Sequence, residues 1–325
     1  MLTHYDVKRA LSLYNLGELR SVCAAAHGLV NETAFAETST GRYVIRRNQR
    51  RLGRASLTLR HQLHAWLSSH EIPCPRIIPA INGETSVEID GRIFEVATFL
   101  SGEDYCPTRP AQSASVGAVL ADYHEAVQGF PGQPSPQPPR YNPSILLGLT
   151  ERLLQRDVLG DLTLQLSWYD RRAAELHARL TDADYAKLPH VLIHGDVHRD
   201  NMLFLGDDVS ALLDFDQVVI DARIVDVADA LVDFAQGKPP QNWSPWGVYA
   251  GPLDTERARM LLDSYDTISP LTKGECSALP MLMEVLWLQG NLRRVLTTAE
   301  AEPDYHIEVL EQGRWLAEWM QQTRL

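Results

Sequence analysis

Two runs of this sequence hold residues whose types and spacing can do chemistry: 191-VLIHGDVHRDNMLF-204 and, after a short turn, 209-VSALLDFDQVVID-221. Apolar stretches bracket a knot of His, Asp and Asn. Asp196, Asn201 and Asp214 are five and then thirteen residues apart, which fits a loop followed by a returning strand. Such a loop brings Asn201 and Asp214 near one cation while Asp196 faces outward. Mg²⁺ takes hard oxygen ligands, few of them from protein and the rest from phosphates and waters. One amide oxygen, one carboxylate and the phosphates of a nucleotide meet that need. Asp196 is then placed to orient and deprotonate a hydroxyl attacking the terminal phosphorus.

Two other readings compete. Asp and Asn are common in turns, where they bond to backbone groups, so a His-Gly-Asp turn can be purely structural. His194 and His198, four apart, also raise a zinc hydrolase. Gly195 and the flanking strand argue against a helical H-x-x-x-H ligand pair. The whole pattern, H-G-D-x-H-x-x-N with a later apolar run ending in D-F-D, is more specific than a turn and favours chemistry. On the strand reading, Asp216 shares a face with Asp214 and is a contact for a second metal or the substrate. Asp200 either caps the loop or lines an acceptor site. Asp229 and Asp233 read as solvated helix positions.

The elements that must position these residues change character along the chain. Residues 5–14 and 55–69 show helical spacing, the latter with Leu59, Leu63, Trp66 and Leu67 on one side. Extended runs around Ser-Thr-Gly in 28–47 and around Asp-Gly in 84–102 predict hairpins. Beyond Gly102 the texture becomes helical: 111–128, 146–156, 165–180, 224–236, 254–268, 275–297 and 305–322. The Pro- and Gly-rich 129–143 reads as an exposed loop. The expected organisation is an N-terminal lobe over 1–101 and a helical C-terminal lobe over 102–325.

Composition narrows the partners. The chain has 325 residues and a net charge of -12, which argues against binding a nucleic-acid backbone. Cys23, Cys74, Cys106 and Cys276 form no CxxC pair, so neither zinc nor a disulfide framework is signalled. The N-terminus lacks signal-peptide order and no apolar run is long enough to span a bilayer, so the expected setting is the cytoplasm, with no membrane partner. Either a monomer or a homodimer fits.

With these motifs in view, the sequence resembles the aminoglycoside phosphotransferase and choline kinase superfamily, relatives of protein kinases. His194, Gly195, Asp196, His198 and Asn201 match its H-G-D-x-H-x-x-N pattern, and Asp214 matches its metal-binding aspartate. The resemblance implies an α+β, bilobal, protein-kinase-like fold with a small antiparallel-sheet N-lobe and a larger, mainly helical C-lobe. It implies ATP and Mg²⁺ as cofactors, Asp196 as catalytic base, Asn201 and Asp214 as metal ligands, and His194 as a loop brace. An aspartate near Asp226 would fix the loop through backbone bonds. Gly28 and Asn31 in 28-GLVNETAF-35 correspond to the phosphate-covering turn, without a GxGxxG pattern. Arg46 in 42-RYVIRR-47 stands where relatives carry a phosphate-binding lysine, while Arg47, Arg50, Arg51 and Arg54 are expected to face solvent. The following helix lacks the usual glutamate in 59-LRHQL-63, which leaves Gln62 as the nearest candidate partner for Arg46. Thr98, Phe99 and Leu100 occupy the hinge that holds adenine. Length, GLVNETAF, GRYVIRR and EIPCPRIIPA look most like bacterial homoserine-kinase-like proteins. Those often carry H-x-D-L-F-x-D-N, whereas 194-HGDVHRDN-201 keeps His198 of the wider superfamily and Asp200 of the homoserine group.

The phosphate acceptor is then the hydroxyl of a small molecule. Glu284, Trp287 and Asn291 share one side of the helix in 281–296. Glu284 suits an amine and Arg293 or Arg294 a carboxylate, as in homoserine or another amino alcohol. Trp243, Trp246 and Tyr249 suit a sugar face or a quaternary ammonium. A sugar, choline or aminoglycoside acceptor, and a non-catalytic nucleotide-binding protein, are the alternatives.

Overall fold

The computed structural model describes residues 2–25, 31–48, 54–157, 160–237, 252–298 and 303–322. Thr3 starts the first helix, α1 (His4–Leu11), with a capping box: its hydroxyl accepts from the Asp6 N–H, and the Asp6 carboxylate accepts from the Thr3 N–H. Val7, Ala10 and Leu11 lie one helical turn apart and are buried against an antiparallel sheet. Its strands are β1 (Leu19–Ala24), β2 (Glu32–Thr38), β3 (Arg42–Asn48), β4 (Val87–Ile89) and β5 (Arg92–Thr98), in the order β1-β2-β3-β5-β4. Asp90 and Gly91, with φ of 54° and 73°, make the tight β4–β5 turn that the Asp-Gly pair predicts. Alternation on β3 sends Ile45 into the core under α1 and Arg46 to the opposite face.

Between β3 and β4 runs α2 (Arg54–Ser69). Its buried Leu63 and Leu67, with Ile72 and Cys74 beyond it, join the core of the large lobe and not the core between α1 and the sheet.

The large lobe begins with α3 (Ala111–Gln128), α4 (Pro143–Arg156), α5 (Thr163–Arg179) and the short α6 (Asp182–Tyr185). Two small antiparallel ladders follow, made from β6 (His190–Ile193), β7 (Met202–Leu205), β8 (Asp208–Leu212) and β9 (Val219–Ala222). β6 pairs with β9, and β7 with β8. The chain closes with α7 (Ile224–Phe234), α8 (Thr255–Ile268), α9 (Lys273–Thr297) and α10 (Pro303–Gln322). Gly117 lets α3 and α8 cross closely: a Cβ there would meet the Leu261 carbonyl at 2.1 Å. The fold is α+β and bilobal, a small antiparallel sheet above a mainly helical lobe. Glu103 exchanges backbone hydrogen bonds with Phe204, tying the connection between lobes to the β7–β8 hairpin.

The ladders explain how residues 196, 201 and 214 meet. β6 and β9 hold the two ends of the segment between them. Inside it the β7–β8 register sets Met202 against Leu212, and the Leu213 N–H donates to the Asn201 carbonyl at 2.8 Å. Asn201 therefore sits beside the residue that precedes Asp214. One expectation needs correction. Residues 214–216 are not strand: β8 ends at Leu212, and Asp214, at φ 57°, caps a 3-10 turn over Phe215–Gln217. Its left-handed backbone, a conformation Asp tolerates better than most residues, turns the chain back toward the small lobe.

Candidate active site

The loop 194–201 is held from behind. Asp226 of α7, fully buried, accepts from the His194 N–H at 2.7 Å and the Gly195 N–H at 2.9 Å. It also meets His124 Nε2 at 3.1 Å. His194 Nε2 donates to the Leu213 carbonyl at 2.8 Å, so this ring braces the loop to the turn at 214, as the resemblance implies. Gly195 has φ 75°, and a Cβ there would meet the Gln217 carbonyl at 2.7 Å. Only glycine fits between these two segments. Phe215, buried among His64, Tyr123 and His194, anchors the middle of D-F-D.

Asp196 projects from this loop and is half-exposed. Asn201 Nδ2 donates to the Asp196 carbonyl at 2.9 Å and lies 3.2 Å from its Oδ2. His198 Nε2 is 2.9 Å from Asn201 Nδ2 and 3.6 Å from Asp196 Oδ2. Neutral, it accepts from Asn201; protonated, it turns its N–H to Asp196. Burial opposes charge on Asp196, but His198, His194 and Asn201 together hold its carboxyl below the ordinary value. His198 is raised despite its own burial, chiefly by Asp196. The result is an ionised acceptor facing open space, the state a base requires. His194 and His198 thus have different partners, and among the described residues no three His, Cys, Asp or Glu gather as metal ligands. The zinc reading has no support in this arrangement.

Because Asn201 uses its amide nitrogen on Asp196, its Oδ1 is the atom available to a cation. Asp214 follows Leu213, whose N–H bonds the Asn201 carbonyl, and its side chain is 41% exposed. An amide oxygen and a carboxylate suit Mg²⁺ held jointly with phosphates. Asp214 Oδ1 already accepts from Arg46 at 3.3 Å, so a metal bound there would have to share this carboxylate with Arg46.

Arg46 is the centre of a network that links the lobes. It donates to Asp216 at 2.5 Å and lies 3.8 Å from Glu95, its cross-strand partner on β5. Arg60 of α2, buried, bonds to Asp216 and, at 2.7 Å, to Glu95. His61 adds a 2.8 Å contact to Glu95, and Asn31 donates to Asp216 at 2.8 Å. Burial would raise the Glu95 carboxyl, but Arg60, His61 and Arg46 carry it down to about 2. Burial would lower Arg46, but Asp216, Asp214 and Glu95 hold it above its ordinary value.

Several expectations change here. Gln62 is exposed beside Trp66 and Phe130 and does not partner Arg46. The acid comes from the neighbouring strand, as Glu95, and the helix contributes a base, Arg60. Helical phase held the signal for Arg60, since 60, 63 and 67 share a face whose two leucines are apolar. Asp216, read as a metal or substrate contact, is enclosed by Arg46, Arg60 and Asn31 and ties the lobes together. Arg47 does not face solvent: it pairs with Glu32 and, at 3.6 Å, with Asp6.

At the hinge, the Phe99 N–H donates to the Arg42 carbonyl at 3.3 Å, and Arg42 covers the Phe99 ring at 3.7 Å. Thr98 continues the β5 ladder opposite Tyr43. Among the described residues the Leu100 N–H has no partner, so it is the hinge donor free to meet a ligand. Gly28, Arg50, Arg51, Trp243, Trp246 and Tyr249, and the side chain of Arg54, lie outside the described residues.

A family profile described as "Phosphotransferase enzyme family" matches residues 21–261. The chain is 32% identical over 275 residues to a homoserine kinase of Gluconacetobacter diazotrophicus, covering 84% of this chain and 79% of that one. It belongs to the phosphotransferase enzyme family. A homoserine kinase of Rhodopseudomonas palustris is 31% identical over 296 residues, covering 90% and 83% of the two chains. An aminoglycoside phosphotransferase of Alicyclobacillus acidocaldarius shares the fold, with a TM-score of 0.73 at 19% identity over 99% of this chain and 94% of that one. A microcompartment-associated aminopropanol kinase does so with a TM-score of 0.70 at 16% identity, over 98% and 97%. The protein is a small-molecule kinase.

On the acceptor side of this phosphotransferase several of the expected side chains are already engaged within the protein. Glu284 is buried in a two-pronged pair with Arg172, at 2.5 and 2.7 Å, so it is not free to meet an amine. Trp287 donates to the Gly313 carbonyl at 3.0 Å and packs α9 on α10; Asn291, also buried, lies against the same glycine. Asp200 is 87% exposed, 3.9 Å from His198. Asp233, expected to be solvated, accepts from the Arg199 N–H at 2.7 Å. Asp229, also read as solvated, is half-buried. Its carboxyl is pushed up to about 8 by burial and by Asp226, Asp196 and Asp233. Its spacing from Asp226 already placed it on the loop-facing side of α7.

Proposed function

We propose that this kinase moves the γ-phosphate of ATP, with Mg²⁺, to the hydroxyl of a small amino-bearing acceptor, homoserine being the first candidate. The observation that carries this reading is the Asn201 bridge. One amide side chain fixes Asp196 through its nitrogen and offers its oxygen to a cation beside Asp214. ATP and Mg²⁺ supply the transferable phosphoryl group and the neutralisation of its charge.

The chain's own residues do the rest. Asp196 orients the acceptor hydroxyl and takes its proton. Asn201 and Asp214 hold the metal. Arg46 offers a fork of donors to phosphate oxygens once a nucleotide draws it from Asp214. The Leu100 N–H meets the base at the hinge, and Asn31 sits where the phosphate-covering turn begins. Two homoserine kinases above 30% identity support an amino alcohol over a sugar.

The test is a coupled ADP-release screen with homoserine, choline, ethanolamine, amino sugars, methylthioribose and aminoglycosides. Homoserine should be turned over fastest. Faster turnover of a sugar or of choline would replace the acceptor. ATP binding with no transfer to any of them would make the protein a nucleotide-binding regulator.

A further inference from the structure

The face of α7 turned toward the catalytic loop carries three carboxylates, Asp226, Asp229 and Asp233, with helical spacing. The outer two are used up. Asp226 binds the backbone of 194 and 195, and Asp233 binds Arg199. Asp229, between them, has no hydrogen bond or ion pair among the described residues. It is half-buried between these two tethers to the loop, where the charges of Asp226, Asp196 and Asp233 work against its ionisation and His198 works for it.

The facing wall has the opposite imbalance. Arg293 of α9 donates to the Arg140 carbonyl at 2.7 Å and has no carboxylate partner among the described residues. Tyr141, the residue after Arg140, donates to the Gly195 carbonyl at 2.9 Å, so this wall is fastened to the loop that carries Asp196. Burial lowers Arg293, with Tyr141 and, when ionised, Asp229 acting against it, yet Arg293 and Asp229 form no ion pair. Half-buried charges are normally paired, because an unpaired one loses its hydration without compensation. Here an acid on α7 and a base on α9 both remain single, each beside a segment that is bonded to the loop carrying the proposed catalytic base.

We propose that Asp229 binds the protonated amine of the acceptor and Arg293 its carboxylate, making them the specificity-determining pair for a hydroxyl-bearing zwitterionic amino acid. This rests on Asp196 being the phosphoryl-transfer base, and it moves the amine site from Glu284 to Asp229.

Three probes separate the two contacts: L-homoserine, 3-amino-1-propanol, which lacks the carboxylate, and 4-hydroxybutyrate, which lacks the amine. Asp229→Asn should lower kcat/KM roughly 10- to 100-fold for the two amines, mainly through KM, the loss expected for a charged hydrogen bond. It should leave 4-hydroxybutyrate unchanged. Arg293→Met should do the same to the two carboxylates and spare 3-amino-1-propanol, with Arg293→Lys recovering part of the homoserine activity. An equal loss on all three probes, or none, overturns the assignment. Turnover of a sugar or choline but of no probe overturns it while leaving the kinase reading intact. Turnover of no acceptor at all overturns both.

Discussion

Arg46 on β3 and Glu95 on β5 face each other across the sheet, and Arg60 of α2 reaches the same Glu95 from the helix side. The usual arrangement implied by the resemblance, a strand cation paired with a helix acid, is here rebuilt with the signs redistributed. Each of the two arginines also touches Asp216, so charge is balanced only when all four side chains are present.

Glu95→Gln should therefore be costly. Removing one partner of a buried pair leaves an uncompensated charge, about 3–5 kcal/mol by precedent. Because the folded-state carboxyl lies at about 2, below its ordinary 4.5, its stabilisation is fully present above pH 4.5 and is lost as pH falls toward 2. Urea titrations across pH 2–7 should show a lower, flatter acid limb for the variant. An unchanged limb would remove Glu95 from the network.

Arg46→Met should move two observables in opposite directions. On the proposed site Arg46 and the metal would compete for Asp214, so losing the arginine should tighten Mg²⁺ binding without nucleotide, roughly fivefold for a partly exposed pair. Turnover should fall by about 100-fold or more, since a donor to the phosphates is gone. Calorimetry for the metal and ADP release for turnover check both halves. Weaker metal binding in the variant would exclude the competition.

Asp196→Asn should cut kcat by about 10²- to 10⁴-fold, the range for a general base, while nucleotide affinity stays near wild type. The side chain is half-exposed and bonds only to Asn201 and His198, so thermal stability should change little. Wild-type turnover in this variant would assign the base elsewhere.

Asp229→Asn makes a prediction of the opposite kind from most active-site changes: greater stability. A carboxyl raised to about 8 keeps a proton in the folded chain that the unfolded chain has released. The wild type thus loses stability as pH rises from about 4 to about 8. The groups facing it are Asp226 and Asp233 on its own helix, Asp196 and His198 on the loop, Tyr141 before α4, and Arg293 on α9. The variant should melt higher than wild type at pH 8 and equally at pH 4. A lower melting temperature at pH 8 would make Asp229 a structural residue.

Much of the site was readable before any coordinates because the loop is local. Asp196, Asn201 and His194 lie within eight residues, and their placement together follows from a backbone that β6 and β7 hold on both sides. Helices such as α2 were equally plain, since Leu63 and Leu67 recur at helical spacing on its buried side. What sequence could not supply was set by distant partners. Glu284 looked free until Arg172, 112 residues away in sequence, claimed it. The end of β8 was hidden because an apolar run continues to Leu213 while the backbone has already left the ladder, and a left-handed Asp214 has no periodic signature. Arg60 was a different failure. Its phase on α2 was visible, but a search for an acid passes over a base.

The separate cores have a mechanical consequence. The sheet and α1 share one apolar cluster, whereas α2 is seated in the large lobe's cluster. A rocking of the sheet over the cleft would leave the large lobe's apolar cluster, with Leu63 and Leu67 of α2, intact. It would instead stretch the polar ties from Arg46 and Glu95 to Arg60 and Asp216. Those ties are short, directional and centred on the nucleotide cleft. The same side chains that would receive phosphate oxygens thus set how far the small lobe can swing, and filling the cleft would loosen the latch that governs access to it.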